Sequence, residues 1–402
     1  MVCGLSLKTK LSLVAALLMI FLSVLVTFYG DIMYCMDRLK VRRMIRQVSD
    51  MSVFKIRGIY AFPGRWPYKD EMIKLLDNMA KSGFNVILWY ANEDGQRAYY
   101  KSKFYPYAPS APRDVDPLKV LIEEAHRRGI KVWIWFSFMG YRDLVLRHPK
   151  WAAVYPNGTS VIDKPYRPWG ADWYPLNPAH PEVQEFWEQA ILELVENYDI
   201  DGINFQDDFG YIDSISYDYI NKAMFEKLFG IGIMRWPEDV LPGGPLHKSW
   251  VEYKCRVITS FVKRLYRRVK SVKPNIVISL AVSSNLQWFR ERGVDWVMLA
   301  REQCVDALTF MLYSDNTDWV VNETLRVMNI IKEVNPNVRV IPIIGYELRD
   351  DPPSKWIEQA VALRKAGVED IIVFWARGID SIKGCWEAFG ELFSSMRRSA
   401  QS

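Results

Sequence analysis

A closed (β/α)8 barrel is the fold class predicted for this 402-residue chain, on three observations. From residue 54 onward, short β-branched or aromatic runs alternate with amphipathic stretches, the pattern of a parallel sheet covered by helices. Eight such runs are present, the number that closes a ring. No GxGxxG or phosphate-loop sequence follows any of them, which removes the usual reason to expect an open nucleotide-binding sheet.

The strands are read at 54–62, 84–92, 131–138, 201–206, 275–282, 305–314, 338–347 and 370–378. Helical periodicity falls between them at 69–82, 117–128, 181–197, 248–271, 318–334 and 354–366, and after the last strand at 385–396. The stretch "DPLKVLIEEAHRRGI" carries the signals well. Asp116 precedes Pro117 at the helix start, Leu118, Leu121, Ile122 and Ala125 share a face, and Gly129 follows the last turn. Two connections, 93–116 and 139–180, are longer than packing requires. Both follow strand ends on the face where barrels build their sites, so they are expected to wall a cleft.

Residues 54–396 therefore form the barrel, and 397–402 a short tail. Ahead of it lies "LSLVAALLMIFLSVLVTFY" at 11–29, uncharged over roughly the length that spans a bilayer. It lacks a small-x-small cleavage site and is read as an uncleaved anchor, with residues 1–10 as a tail and 30–53 as a basic juxtamembrane linker. The basic residues after it (Arg38, Lys40, Arg42, Arg43, Arg46) would put the body in the cytoplasm by the positive-inside rule. The functional reading below needs the opposite side, an extracytoplasmic body.

Half the residues are hydrophobic and a quarter charged, the balance of a globular chain with a large core. A net charge of +5 without a long basic run in the body gives no reason to expect a nucleic-acid partner. Five cysteines and four histidines are scattered without metal-ligand or disulfide spacing, so neither a metal nor another cofactor is expected. Aromatic residues are abundant (16 Trp, 21 Tyr, 19 Phe), and flat rings with polar edges suit sugars. Trp89, Tyr90, Trp133, Trp135, Tyr313 and Trp375, on or near strand ends, are the candidate platforms, with core packing as the alternative role of each.

The fourth strand runs directly into two acids, "DGINFQDDFGY" at 201–211. Asp207 and Asp208 thus reach the barrel mouth, and Glu347 closes the seventh strand on the same face. Opposed carboxylates are what glycosidic cleavage needs, one giving a proton to the leaving oxygen while the other attacks carbon or activates water. Turn-forming or helix-capping acids, or a divalent site built with Asp213, are the other readings of the pair. Alternation puts Asn204 and Gln206 inward and carries Asp208 along with them. Asp207 joins that face only if the strand has already turned.

"YPLNPAHPEVQEFWEQAILELVENYDIDGINFQDDFGY" (174–211) resembles the glycosyl hydrolase-like 10 family, which carries an LNP-x-HPEV segment and a strand ending in paired aspartates. Supporting pieces follow in the family's order, among them "GFNVILW" (83–89), "LIEEAHRRGIKVWIWF" (121–136) and "MLYSD" (311–315), so the resemblance covers about 54–390. It implies a barrel acting on glycosidic bonds of a polysaccharide or cell-envelope glycan. Strand four is also similar to that of poly-N-acetylglucosamine hydrolases, and Asp207 is matched under either alignment. Departures fall at Asn92, Trp133, Asn204 and Gln206, all candidate substrate-binding positions. They motivate the alternative, a glycan-binding or envelope-organising protein that has kept the cleft and lost the chemistry.

Overall fold

The computed structural model describes residues 7–397 apart from 169, 213 and 214, and, in the first helix, not the side chains of 7–15, 17, 18 and 21–28. Eight parallel strands close into a barrel. They are β1 (Ile56–Ala61), β2 (Val86–Tyr90), β3 (Lys131–Phe136), β4 (Gly202–Phe205), β5 (Val277–Val282), β6 (Ala307–Met311), β7 (Arg339–Ile344) and β8 (Asp370–Val373). Each pairs with its sequence neighbours, and β1 closes the ring against β8 with Ile56 opposite Asp370. The Asp370 carboxylate secures that seam by accepting the Ile56 N–H at 2.9 Å and the Arg339 guanidinium at 2.7 Å.

The expected helices form at Lys69–Lys81, Pro117–His126, Pro181–Asn197, His247–Val272, Thr317–Val334, Pro353–Lys365 and Cys385–Ser395. Their starts follow from local chemistry. Asp116 accepts the Leu118 N–H at 3.1 Å while Pro117 fills the position that needs no donor, and Asn316 caps the Trp319 N–H at 3.0 Å. The connection from β5 to β6 has no long periodic run and is spanned by two short helices, Leu286–Glu291 and Trp296–Arg301.

Period two sorts the strand residues into two cores. Ile87, Trp89, Val132, Ile134 and Phe136 face the helices, whereas Leu88, Tyr90, Trp133 and Trp135 fill the barrel. Trp133 sits one layer below Trp135, in register with Leu88 and Gly202. A Cβ on Gly202 would lie 2.6 Å from its indole, so the glycine makes the space that the ring occupies.

The first helix runs from Leu7 to Ile45. The anchor expected over 11–29 falls within it, and most of that segment's side chains lie outside the described residues. Among the described residues no helix is long and apolar enough to cross a membrane. Residues 30–53, read as a basic juxtamembrane linker, pack against the barrel: Val41, Ile45 and Val48 are buried in the main core, and Arg38 pairs with Glu391. Asp37 accepts the Ser354 N–H at 3.3 Å, tying the helix to the start of Pro353–Lys365.

Candidate functional site

Beyond Phe205 the chain leaves the sheet at once. The Phe209 N–H donates to the Gln206 carbonyl at 3.1 Å, closing a turn with Asp207 and Asp208 at its centre. This resolves the parity question left by alternation, because the turn brings both acids to the mouth. Asp207 faces the central hollow. Asp208 is tucked behind it, 4% exposed, accepting the Ser137 hydroxyl and the Phe138 N–H (3.2 Å) from the loop after β3.

The hollow is a cavity of about 530 Å³ at the C-terminal ends of the strands. Asp207 and Gln206 lie on its side, Tyr60 at its floor, and aromatic rings form its walls. Tyr90 and Trp135 stack at 3.9 Å between centroids, and Phe62 meets Trp135 edge-on at 4.9 Å. Opposite, Tyr313 approaches Phe374 at 5.7 Å and Phe374 stacks on Trp375 at 5.1 Å. Trp173 comes from the long connection after β3, held by paired backbone hydrogen bonds with Tyr166 (2.8 and 3.1 Å).

A second acid enters this cavity from a place the strand pattern did not mark. After β2 the chain makes a small hairpin, Asn92–Glu93 against Arg97–Ala98, whose tip carries Asp94 into the hollow. Asp94 and Gly95 both take left-handed backbone angles (φ 49° and 65°). A Cβ on Gly95 would come within 2.0 Å of the Met139 carbonyl oxygen, so only glycine fits there. The Tyr90 hydroxyl donates to Asp94 Oδ1 at 2.8 Å and accepts the Asp94 N–H at 2.9 Å, which fixes the carboxylate's direction. Gln96 Nε2 donates to the Asp172 carbonyl at 2.9 Å, joining the two long connections that wall the cleft. The signal was present in the sequence: an Asp-Gly pair is a strong turn marker for a tight hairpin.

All three acids are pushed toward the neutral form, chiefly by burial. Asp208 is raised to about 7, with its two hydrogen-bond donors opposing the shift and Asp207 and Asp94 adding to it. Asp207 is raised as well, with the Arg292 guanidinium pulling it down and Asp94 pushing it up. Burial raises Asp94 against the pull of Tyr90 and Arg97. A cleft with several mutually repelling carboxyl groups can hold a proton near neutrality.

Several candidates from the sequence occupy other positions. Glu347 is exposed and is not among the cavity's lining residues. The reason is Gly345, whose backbone (φ 112°) ends β7 early and starts the turn Tyr346–Leu348, so Tyr346 lies over the cavity instead. Trp89 points outward into the helix layer, with no exposure. Trp133 lies too deep. Asn92 is a buried clamp, donating to the Ser137 carbonyl at 2.8 Å and accepting its N–H at 2.9 Å, and so supports the loop that holds Asp208. Asn204 is a polar tie across the barrel, accepting the Tyr60 hydroxyl at 2.7 Å and donating to Ser279 (2.9 Å) and Thr309 (3.1 Å). Tyr90, Trp135, Gln206, Tyr313 and Trp375 do line the cavity. Asp213 lies outside the described residues, and among those described no cluster of His, Cys, Asp and Glu could hold a metal ion.

Comparison with known proteins agrees with this architecture. The family model described as glycosyl hydrolase-like 10 matches residues 59–358. The glycosyl hydrolase DigH of Escherichia coli K12 is 25% identical over 223 residues, 52% of this chain and 46% of that protein. The glycosyl hydrolase YngK of Bacillus subtilis is 24% identical over 231 residues, 53% of this chain and 39% of its own length. The chain thus spans less than half the length of either relative. Among solved structures, the PgaB (BpsB) glycoside hydrolase domain from Bordetella bronchiseptica superposes with a TM-score of 0.66. It covers 86% of this chain and 99% of the domain at 16% identity, a likeness of fold.

Proposed function

The chain belongs to the glycosyl hydrolase-like 10 family, and from that membership and the cleft we propose that it is a metal-independent glycoside hydrolase acting on a polysaccharide or cell-envelope glycan. One observation carries the reading: Asp207 and Asp94 line a single aromatic-walled cavity at the C-terminal face of the barrel. Asp207 is the acid/base. In its neutral form it gives a proton to the leaving glycosidic oxygen, and the bond from that oxygen to the anomeric carbon breaks. Asp94, aimed by Tyr90, is the partner carboxylate that meets the anomeric carbon or the incoming water. Asp208 sits behind Asp207 as its tuner, because a charge there raises the proton affinity of its neighbour. The rings of Tyr90, Trp135, Tyr313 and Trp375 supply platforms for sugar faces. A bilayer anchor over 11–29, with the barrel on the extracytoplasmic side, completes the reading. The apolar run supports the anchor, a cell-envelope glycan substrate would require that side, and the flanking basic residues favour the other.

The test is a screen of the full-length protein against purified polysaccharides and cell-envelope glycans, read by new reducing ends and product lengths. Cleavage of at least one glycan is expected. Retention of glycans on the protein with no cleavage across the panel would identify a binding protein that uses the same cleft.

A further inference from the structure

Beside the main hollow, and sharing Trp173, Gln206 and Asp207 with it, lies a side cavity of about 230 Å³. Its volume is below the range usual for drug-sized ligands, a size for one ring or its substituent. Among the described residues Arg292 is the one cationic side chain lining it, and Asp207 and Asp208 are its acidic ones. The residue is 7% exposed, stacks on Trp288 (5.2 Å) and Phe289 (5.8 Å), and makes no ion pair among the described residues. Among the described residues its Nε finds no partner. Asp207 lies close enough to feel its charge but forms no ion pair with it, so the guanidinium keeps unused hydrogen-bonding capacity, and a buried site that holds one has a use for a second anion. Gln206, also 7% exposed, reaches the same cavity with Oε1 unpartnered among the described residues, an acceptor waiting for a donor. Trp288 at the rim, 41% exposed, adds an open aromatic face.

We infer that this side cavity is a subsite for a carboxylate-bearing sugar, a hexuronate, with Arg292 recognising the carboxylate and Gln206 a neighbouring hydroxyl. Arg292 is thereby a specificity-determining residue. The planar fork of an arginine matches a carboxylate and is weakly hydrated enough to be kept buried until one arrives. The inference rests on reading the cleft as a glycan site, but not on that site being catalytic.

The experiment compares a glucuronate-containing oligosaccharide with the same oligosaccharide after reduction of its carboxyl groups to alcohols. The full-length protein is used, and both calorimetric binding and turnover are measured. Binding of the acidic form is expected to be tighter by about 10- to 100-fold, the worth of a charge-assisted hydrogen bond. In Arg292→Met that ratio is expected to collapse toward one, and Arg292→Lys to retain part of it. Equal binding of the two oligosaccharides by the wild type overturns the inference without need of a variant. So does a ratio that survives in Arg292→Met. Acid-selective binding without turnover here or across the glycan panel leaves the subsite standing and removes the hydrolase reading. Turnover without acid selectivity does the reverse.

Discussion

Replacing Asp207 with Asn is expected to lower turnover of a responsive glycan by about 10²- to 10⁴-fold while the protein stays folded. The substitution keeps the side chain's size and shape, turns one acceptor oxygen into an amide donor and removes the transferable proton. Asp207 has the central position. It lies in the turn that ends β4, lines both the main hollow and the side cavity, and feels Arg292 on one side and Asp94 on the other. Its carboxyl is already disfavoured as an anion by burial, so the neutral amide should not lower the melting temperature. Loss of activity accompanied by unfolding would leave the assignment without support, and unchanged turnover in a folded variant would remove it.

Asp208 gives the second large effect, on stability rather than rate. Its folded pKa is about 7 against an ordinary value of 3.8. A carboxyl whose pKa is raised on folding stabilises the folded state below its unfolded pKa, and that contribution is lost as pH rises through the folded value. The wild type should therefore lose stability between about pH 4 and pH 7 on account of this group. Asp208→Asn cannot ionise and escapes the loss. It is expected to be more stable than the wild type by about 1–3 kcal/mol near pH 8, with the advantage gone below about pH 4. The figure is smaller than the full shift implies, because an amide cannot accept both the Ser137 hydroxyl and the Phe138 N–H. Urea unfolding across this pH range measures it. A variant less stable than the wild type near pH 8 would mean that the two donors hold Asp208 ionised as a structural acid.

Much of this architecture is legible in the sequence because strand and helix periods are local. All eight strands lie inside the runs that announced them, and the Asp-Pro start and apolar face of Pro117–His126 formed a helix as read. The two long connections do wall the cleft, through Asp94 from the first and Trp173 from the second. What the sequence hid lies where the chain leaves regular structure. Alternation tells Tyr90 from Trp89, but it cannot say that Trp133 lies a layer below the mouth, since depth depends on the stagger between neighbouring strands. Glu347 reads as the last residue of a strand until Gly345 takes an angle that only tertiary packing selects. Asp94 has no strand to announce it, only the Asp-Gly turn, and its meaning comes from Tyr90 and Met139 around it. Arg292 follows a helix of six residues that carries no long amphipathic pattern.

On the proposed reading, Asp207 acts across the cleft with Asp94 and not with Glu347. The most direct measurement compares the turnover of Asp94→Asn and Glu347→Gln on one responsive glycan, with melting temperatures taken alongside. A loss of about 10²-fold or more is expected for Asp94→Asn and a change within about threefold for the exposed Glu347→Gln. A severe loss in Glu347→Gln with near-normal turnover in Asp94→Asn would contradict that reading.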